Sequence, residues 1–431
     1  MKNTVIHLVA LACSIAACDA SEGPVEAERA AVESVAAVTD PASGRAPAAS
    51  VASASAEPRD AAAPRGPAMP GAKQAFTTVA DLVATQYVDG PLSEDELWTG
   101  AMQGVLARAA QGGDPHVNAL LSPAELQELL IGTKGLLVGV GIKIERVAGV
   151  VVVADVIPGG PAEAARIAAG DRILGIDGER IGPLELADVV ARIRGVDGSK
   201  VALFLQRDTE EWTAEVIRGQ IHVDSVEATS LGDGVGYLRI TSFAEGTPGE
   251  LGDELTSLRR GGATRIVLDL RDCPGGMLDA TVGIAEHFLP VGAPVLSITH
   301  RDGTTESRVT ERDRGGGDLP LAVLIGPGTA SSAEILADAL HHAGDRADRR
   351  AILVGDTTFG KRTIESIHEL AEGWAVKLSV SRFVLASGAT GAVKPDVRIP
   401  ADPERKPARI GAVQADDDPT LAAAMELLDR R

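Results

Sequence analysis

The chain has 431 residues, enough for more than one domain and a sizeable core, and its apolar share of 45% fits a mostly globular protein. A formal net charge of −20 excludes a nucleic-acid binder, which needs a basic footprint, and otherwise predicts only an acidic, soluble surface. Three cysteines (Cys13, Cys18 and Cys273) exclude a disulfide framework, since two lie at the very start; no metal-ligand cluster or phosphate loop is present, so no metal or cofactor is expected.

Lys2 supplies a minimal positive start, and Thr4 to Ala17 is mostly apolar, interrupted by His7. That length suits a signal peptide and is short for a spanning helix. Ile15-Ala16-Ala17-Cys18 resembles a bacterial lipobox, in which the cysteine is lipidated and becomes the first mature residue. The resemblance implies a signal peptide over residues 1–17 and a lipid anchor on Cys18. It also implies a bacterial cell-envelope location, membrane-attached and facing the periplasm. The competing reading is an ordinary signal peptide cut nearby. Residues 18–72 are rich in Ala, Pro, Ser and Glu, cannot bury enough surface to fold, and read as a disordered tether.

Residues 73–135 turn helical, with Phe76, Val79, Leu82 and Val83, then Leu97, Met102, Val105 and Leu106, recurring at three to four positions. Ser93-Glu94-Asp95-Glu96 fits a capping box, and Ser122-Pro123-Ala124-Glu125 opens another helix. His116, in the Asp114-Pro115-His116 turn, reads as a structural turn histidine, since no serine or cysteine motif is near it.

Residues 136–210 read as a small β-rich module. Strands are expected over Leu136 to Ile144, Val150 to Val156 and Lys200 to Gln206, with helices over Ala162 to Ala168 and Leu184 to Ile193. Pro158-Gly159-Gly160-Pro161-Ala162 followed by Gly170-Asp171-Arg172-Ile173 and Ile176-Asp177-Gly178 resembles a PDZ domain. What that implies is capture of a peptide C-terminus, added as a strand, with its carboxylate on backbone N–H groups of Val138, Gly139, Val140, Gly141 and Ile142. The alternative is a glycine bulge without a ligand.

Residues 211–400 alternate strand and helix, which argues an α/β layer structure. Strands are expected at Val235 to Ile240, Arg265 to Leu270, Val295 to Thr299, Leu321 to Ile325 and Ile352 to Val354, and a hairpin from Arg362 to Leu385. Helices are expected at Glu250 to Arg260, Leu278 to Leu289 and Ile335 to His341. The whole is a multidomain α+β and α/β chain. Residues 401–431 form a C-terminal tail, whose Leu421 to Leu428 helix either packs on the body or mediates a homo-oligomer; packing is the simpler reading.

Ser331 stands where a glycine-rich turn becomes a helix, beside unsatisfied backbone N–H groups suited to an oxyanion. Its bland reading is a cap, because Ser331-Ser332-Ala333-Glu334 matches Ser-x-x-Glu. Acyl chemistry would need a base. Lys361 closes the Gly355-Asp356-Thr357-Thr358-Phe359-Gly360-Lys361 turn; to serve, it must lose its charge through burial. Its bland reading is a solvated turn lysine.

The run from Val235 to Asp396 resembles the carboxyl-terminal processing peptidases, or tail-specific proteases. The matching pieces are Tyr237-Leu238-Arg239-Ile240 with Phe243, Leu268-Asp269-Leu270-Arg271 with Pro274-Gly275-Gly276, Gly328 to Ile335, Gly355 to Lys361, and Lys394-Pro395-Asp396. The helical region and the PDZ module come in the family's order. The resemblance implies a crotonase/ClpP-like serine peptidase domain. In it Ser331 is the nucleophile, Lys361 the general base, and Gly275, Gly276 and Ser332 supply oxyanion donors. Substrates would be proteins or peptides with flexible C-termini. The family's lysine-orienting glutamine is Glu365 here; either it is a carboxylate that favours the charged lysine, with lower activity or an optimum at higher pH, or burial keeps it protonated. Cys273 replaces the usual asparagine and reads as buried filler. Extra length around residues 344–350 is placed in a surface loop. Two other readings remain: a weak or inactive PDZ-containing envelope lipoprotein that only binds peptides, and a peptide sensor that cleaves once a partner opens it.

Overall fold

A computed structural model describes residues 7–8, 71–90, 92–110, 117–182, 184–315, 319–342, 351–404, 408 and 410–430. Cys18, the tether up to residue 70, the Asp114-Pro115-His116 turn and the extra length at 344–350 lie outside the described residues. Among the described residues no helix is long and apolar enough to cross a membrane.

The chain divides into two compact units, residues 13–91 and residues 1–12 with 92–431. The smaller is described only from residue 71 and contains helix α1 (Ala72–Gln86). The larger begins with β1 (His7–Leu8), α2 (Glu94–Ala109), β2 (Ala119–Leu121) and α3 (Pro123–Lys134). Both predicted helix starts are capping boxes: Ser93 with Glu96, and Ser122 with Glu125, each serine and glutamate bonding the other's backbone N–H.

The PDZ-like module follows. Strand β3 (Leu136–Gly139) leads to β4 (Ile142–Val147), β5 (Val150–Val156), α4 (Pro161–Ala164), β6 (Arg172–Ile176), β7 (Glu179–Arg180), α5 (Leu186–Ile193), β8 (Lys200–Arg207) and β9 (Glu210–Ile217). The sheet order is β4-β5-β6-β8-β9, with β7 on β6. Alternation puts Val151, Val153, Ile173, Leu203 and Leu205 in one core, and a register shift between Ile173 and Gly175 adds Ile176 to it. The module runs past the expected limit of residue 210. Strand β9 pairs with all of β8 and buries Ala214 and Val216 in the same core. Helix α4 is shorter than expected: Ile167 N donates back to Ala162 O while Arg166 takes a φ of 61°, a left-handed stop.

The chain leaves the module along β10 (Gly219–His222), which pairs antiparallel with β3, Gly219 opposite Gly139. The body then lays down β11 (Val226–Gly232), β12 (Val235–Ile240), α6 (Thr247–Arg260), β13 (Arg265–Asp269), α7 (Leu278–Ala285), β14 (Pro294–His300), β15 (Thr305–Val309), β16 (Leu321–Ile325), α8 (Ser332–His342), β17 (Ile352–Gly355), β18 (Thr363–Glu369), β19 (Ala375–Leu385), β20 (Val397–Arg398) and α9 (Pro419–Asp429). One sheet runs β11-β12-β13-β16-β17-β20, parallel from β12 onward. Its central strands β12, β13, β16 and β17 are buried on both faces, which accounts for their near-continuous apolar sequence. The core on one face includes Leu251, Leu255, Ile284 and Leu336 of α6, α7 and α8; on the other, Val267, Leu324 and Val354 share a core with Leu421, Ala424 and Leu428 of α9. The C-terminal helix is therefore part of the body. A second sheet, β18-β19-β14-β15, carries β1 on β18 and β2 on β19.

Candidate active site

Ser331 joins β16 to α8. It is fully buried and has a φ of 61°, the left-handed region that a side chain with Cβ occupies at a cost of roughly 1 kcal/mol or more. The turn is over-determined by its neighbours. Ala330 N donates to Cys273 O at 3.0 Å, Thr329 Oγ1 donates to Leu270 O at 2.8 Å, and Ser331 N donates to Glu334 Oε2 at 2.8 Å. Only half of the expected capping box forms. Glu334 takes the backbone N–H, but Ser331 Oγ is buried and makes no hydrogen bond, so the hydroxyl is not the cap.

Glu334 is the residue that sequence reasoning undervalued. Its fully buried carboxylate also accepts Thr358 Oγ1 at 2.6 Å, Gly360 N at 2.8 Å and Lys361 N at 3.0 Å. Ser331 N and Lys361 N share one oxygen, so a single side chain fastens the lysine turn to the serine turn. The only signal in the sequence was the Ser-x-x-Glu spacing.

The Lys361 side chain is 9% exposed, which removes the solvated-turn reading. Lys361 Nζ donates to Glu365 Oε2 at 2.8 Å. Glu365, on β18, is fully buried and accepts Thr363 Oγ1 at 2.7 Å on its other oxygen. The hairpin holding this pair is braced from outside. β2 pairs with β19, Ser379 N donates to Asn118 Oδ1 at 2.7 Å, and Leu121 and Leu126 share a small core with Ile367 and Ala375.

The Pro274-Gly275-Gly276 turn lies directly on the serine. A Cβ at Gly275 would stand 3.1 Å from Ser331 Cβ and 2.8 Å from Ser332 N; one at Gly276 would stand 2.3 Å from Phe243 O. With φ values of 92° and 152°, both positions exclude a side chain. Ser332 Oγ donates to Gly276 O at 3.1 Å, which fixes the turn against α8. Cys273 is fully buried, its thiol pushed up to about 12 by burial, so it is inert filler.

Behind this turn a buried ion network ties it to the chain's end. Arg271 Nη2 donates to Asp269 Oδ2 at 2.6 Å and Arg271 Nη1 to Asp418 Oδ1 at 2.8 Å, while Tyr237 Oη donates to Asp269 Oδ2 at 2.6 Å. Burial raises the Asp269 carboxyl, but the guanidinium and hydroxyl beside it outweigh that and hold it below the usual range.

The structure thus gathers Ser331, Ser332, Gly275 and Gly276 at the start of α8, where Glu334 also holds the Lys361 backbone, and Glu365 joins them through the Lys361 amine. The predicted peptide loop lies in the PDZ-like module. Of its residues, Val138 and Gly139 sit in the β3–β10 ribbon; the turn itself is Val140-Gly141, ahead of Ile142, where β4 begins. Among the described residues β4 is an edge strand, open to one more partner.

Comparison with known proteins supplies the class. The peptidase family S41 profile matches residues 234–399 and the PDZ domain profile residues 152–207, so the body is a serine-type peptidase domain and the module a PDZ domain. The carboxy-terminal processing protease CtpA of Bacillus subtilis is 31% identical over 296 residues, covering 68% of this chain and 61% of that protein. A carboxyl-terminal-processing protease of Synechocystis is 36% identical over 310 residues, 70% of each chain. Among solved structures, the photosystem II D1 C-terminal processing protease is 28% identical with a TM-score of 0.44, covering 80% of this chain and 90% of that one. The chain belongs to peptidase family S41, among the carboxyl-terminal processing serine proteases.

Proposed function

We propose that the chain is an endopeptidase that captures flexible C-terminal tails on its PDZ domain and cuts them with a Ser331–Lys361 dyad. The observation that carries this is the state of Ser331 Oγ: buried, unbonded and fixed at a strained turn, in contact with a turn that only glycine can form. A hydroxyl kept out of every structural bond is available for attack.

In the proposed reaction Lys361, uncharged, takes the Ser331 proton as Oγ attacks the scissile carbonyl carbon. The oxyanion rests on backbone N–H groups of Gly276 and Ser332. The lysine returns the proton to the leaving amine, and water then hydrolyses the acyl-enzyme. Glu365 orients Lys361. The tail adds to the free edge of β4 with its carboxylate at Val140-Gly141. Attachment of Cys18 to lipid would place the enzyme in a bacterial envelope, facing the periplasm.

Incubation with a protein bearing an unstructured tail, followed by mass spectrometry of the products, tests the reading. Cleavage should vanish in Ser331→Ala and Lys361→Ala; equal cleavage by Ser331→Ala would overturn it. A second reading, a weak enzyme or a peptide-binding lipoprotein, rests on Glu365 standing where the family has a glutamine, 2.8 Å from the Lys361 amine. Labelling of Ser331 by a serine-reactive phosphonate supports the enzyme; no labelling in a folded protein supports the binder.

A further inference from the structure

Strand β10 ends at His222, and the chain enters the peptidase body through Asp224 and Ser225. Three side chains converge at that junction. His222 Nε2 lies 3.0 Å from Glu250 Oε1 and 3.5 Å from Asp224 Oδ1, and one ligand atom from each residue falls within 4.8 Å of the others. Glu250 sits in the first turn of α6. Its Oε2 is occupied, accepting Ser225 N and Ser225 Oγ at 2.7 Å each. Its Oε1 is buried and makes no hydrogen bond, although it stands beside the imidazole. His222 and Asp224 have side-chain exposures of 50% and 76%, so the open side of the cluster meets water.

An ion pair accounts poorly for this arrangement. Both carboxylates approach the same imidazole nitrogen, which carries at most one proton and can bond only one of them well. A cation satisfies all three at once. Ligand atoms bound tetrahedrally at about 2.0–2.1 Å stand roughly 3.3 Å apart, close to the 3.0 and 3.5 Å from the imidazole nitrogen to the two carboxylates. One imidazole with two carboxylates suits zinc, whereas calcium and magnesium prefer all-oxygen shells. We propose that His222, Asp224 and Glu250 form a zinc-class divalent-cation site, completed by water, that ties the strand leaving the PDZ domain to helix α6 of the peptidase body.

The test uses the untagged chain, stripped with a chelator and titrated with zinc chloride by isothermal calorimetry. One saturable site is expected. His222→Ala and Asp224→Asn should each weaken binding at least tenfold; Asp224 is exposed, so its variant keeps the fold, which circular dichroism verifies. Zinc should raise the thermal unfolding midpoint of the unsubstituted chain and not of either variant. A hundredfold excess of calcium should not displace it. The proposal is overturned by no saturable zinc binding, by binding that both variants retain, or by displacement with calcium. The outcome does not depend on peptidase activity, and Ser331→Ala should bind zinc as the unsubstituted chain does.

Discussion

Lys361 Nζ donates to Glu365 Oε2 at 2.8 Å, and the carboxylate is fully buried. This contact fixes where the amine points. Glu365→Gln keeps a hydrogen-bond acceptor of the same shape, whereas Glu365→Leu removes it. The expected outcome is that Glu365→Gln keeps most of kcat/KM while Glu365→Leu loses about tenfold or more through a misplaced lysine. Steady-state kinetics of the two variants side by side checks it.

Glu334→Ala removes the acceptor shared by Ser331 N, Thr358 Oγ1, Gly360 N and Lys361 N. Stranded buried donors carry their full desolvation cost, so urea unfolding should show a loss of about 3 kcal/mol or more, with activity abolished. Glu334→Gln, which keeps the shape and one acceptor oxygen, should lose less stability and still lose most activity.

Gly275→Ala forces a methyl to within 2.7 Å of Ala330 O and 2.8 Å of Ser332 N at a φ of 92°. The turn must move off the serine. Activity should fall at least a hundredfold or so, at a stability cost of about 1–3 kcal/mol. Kinetics and thermal unfolding, measured together, separate the two effects.

Acidification should unfold the body through the Arg271 network. For Asp269 and Asp418 alike, burial raises the carboxyl, but Arg271 outweighs it and holds both below the usual range. A carboxylate held low in the folded state contributes stability that is full above its unfolded value and is lost as pH falls through its folded value. Stability should therefore be flat near neutrality and drop below about pH 4. Asp418→Asn should lower stability at pH 7 by roughly 1–3 kcal/mol and flatten the acid limb. Urea titrations from pH 3 to 8 check this (about the range in which carboxylates titrate).

The sequence revealed what depends on local pattern. Glycine and proline placed the turns before Ser331 and at Gly275-Gly276, apolar runs located the parallel strands, and the Ser93 capping box lies where Ser-x-x-Glu put it. It hid what depends on distant pairing. Asp418 meets Arg271 across 147 positions, and Asn118 meets Ser379 across 261. Nothing in spacing announces such contacts. Strand β9, with Glu210, Glu211 and Glu215 facing water, is too charged to stand out except by its pairing with β8. The bland capping reading of Ser331 fails for a physical reason: the turn takes a positive φ there, and Glu334 binds the backbone while the hydroxyl stays unused.

Because the entering and leaving strands of the PDZ domain pair with each other, Gly139 facing Gly219, the domain hangs from a two-strand stalk. Residues 140–218 are thus a cassette. A tight turn of about two residues can close the ribbon in their place, giving the peptidase domain without its PDZ domain, and the same two ends can accept another domain in its stead.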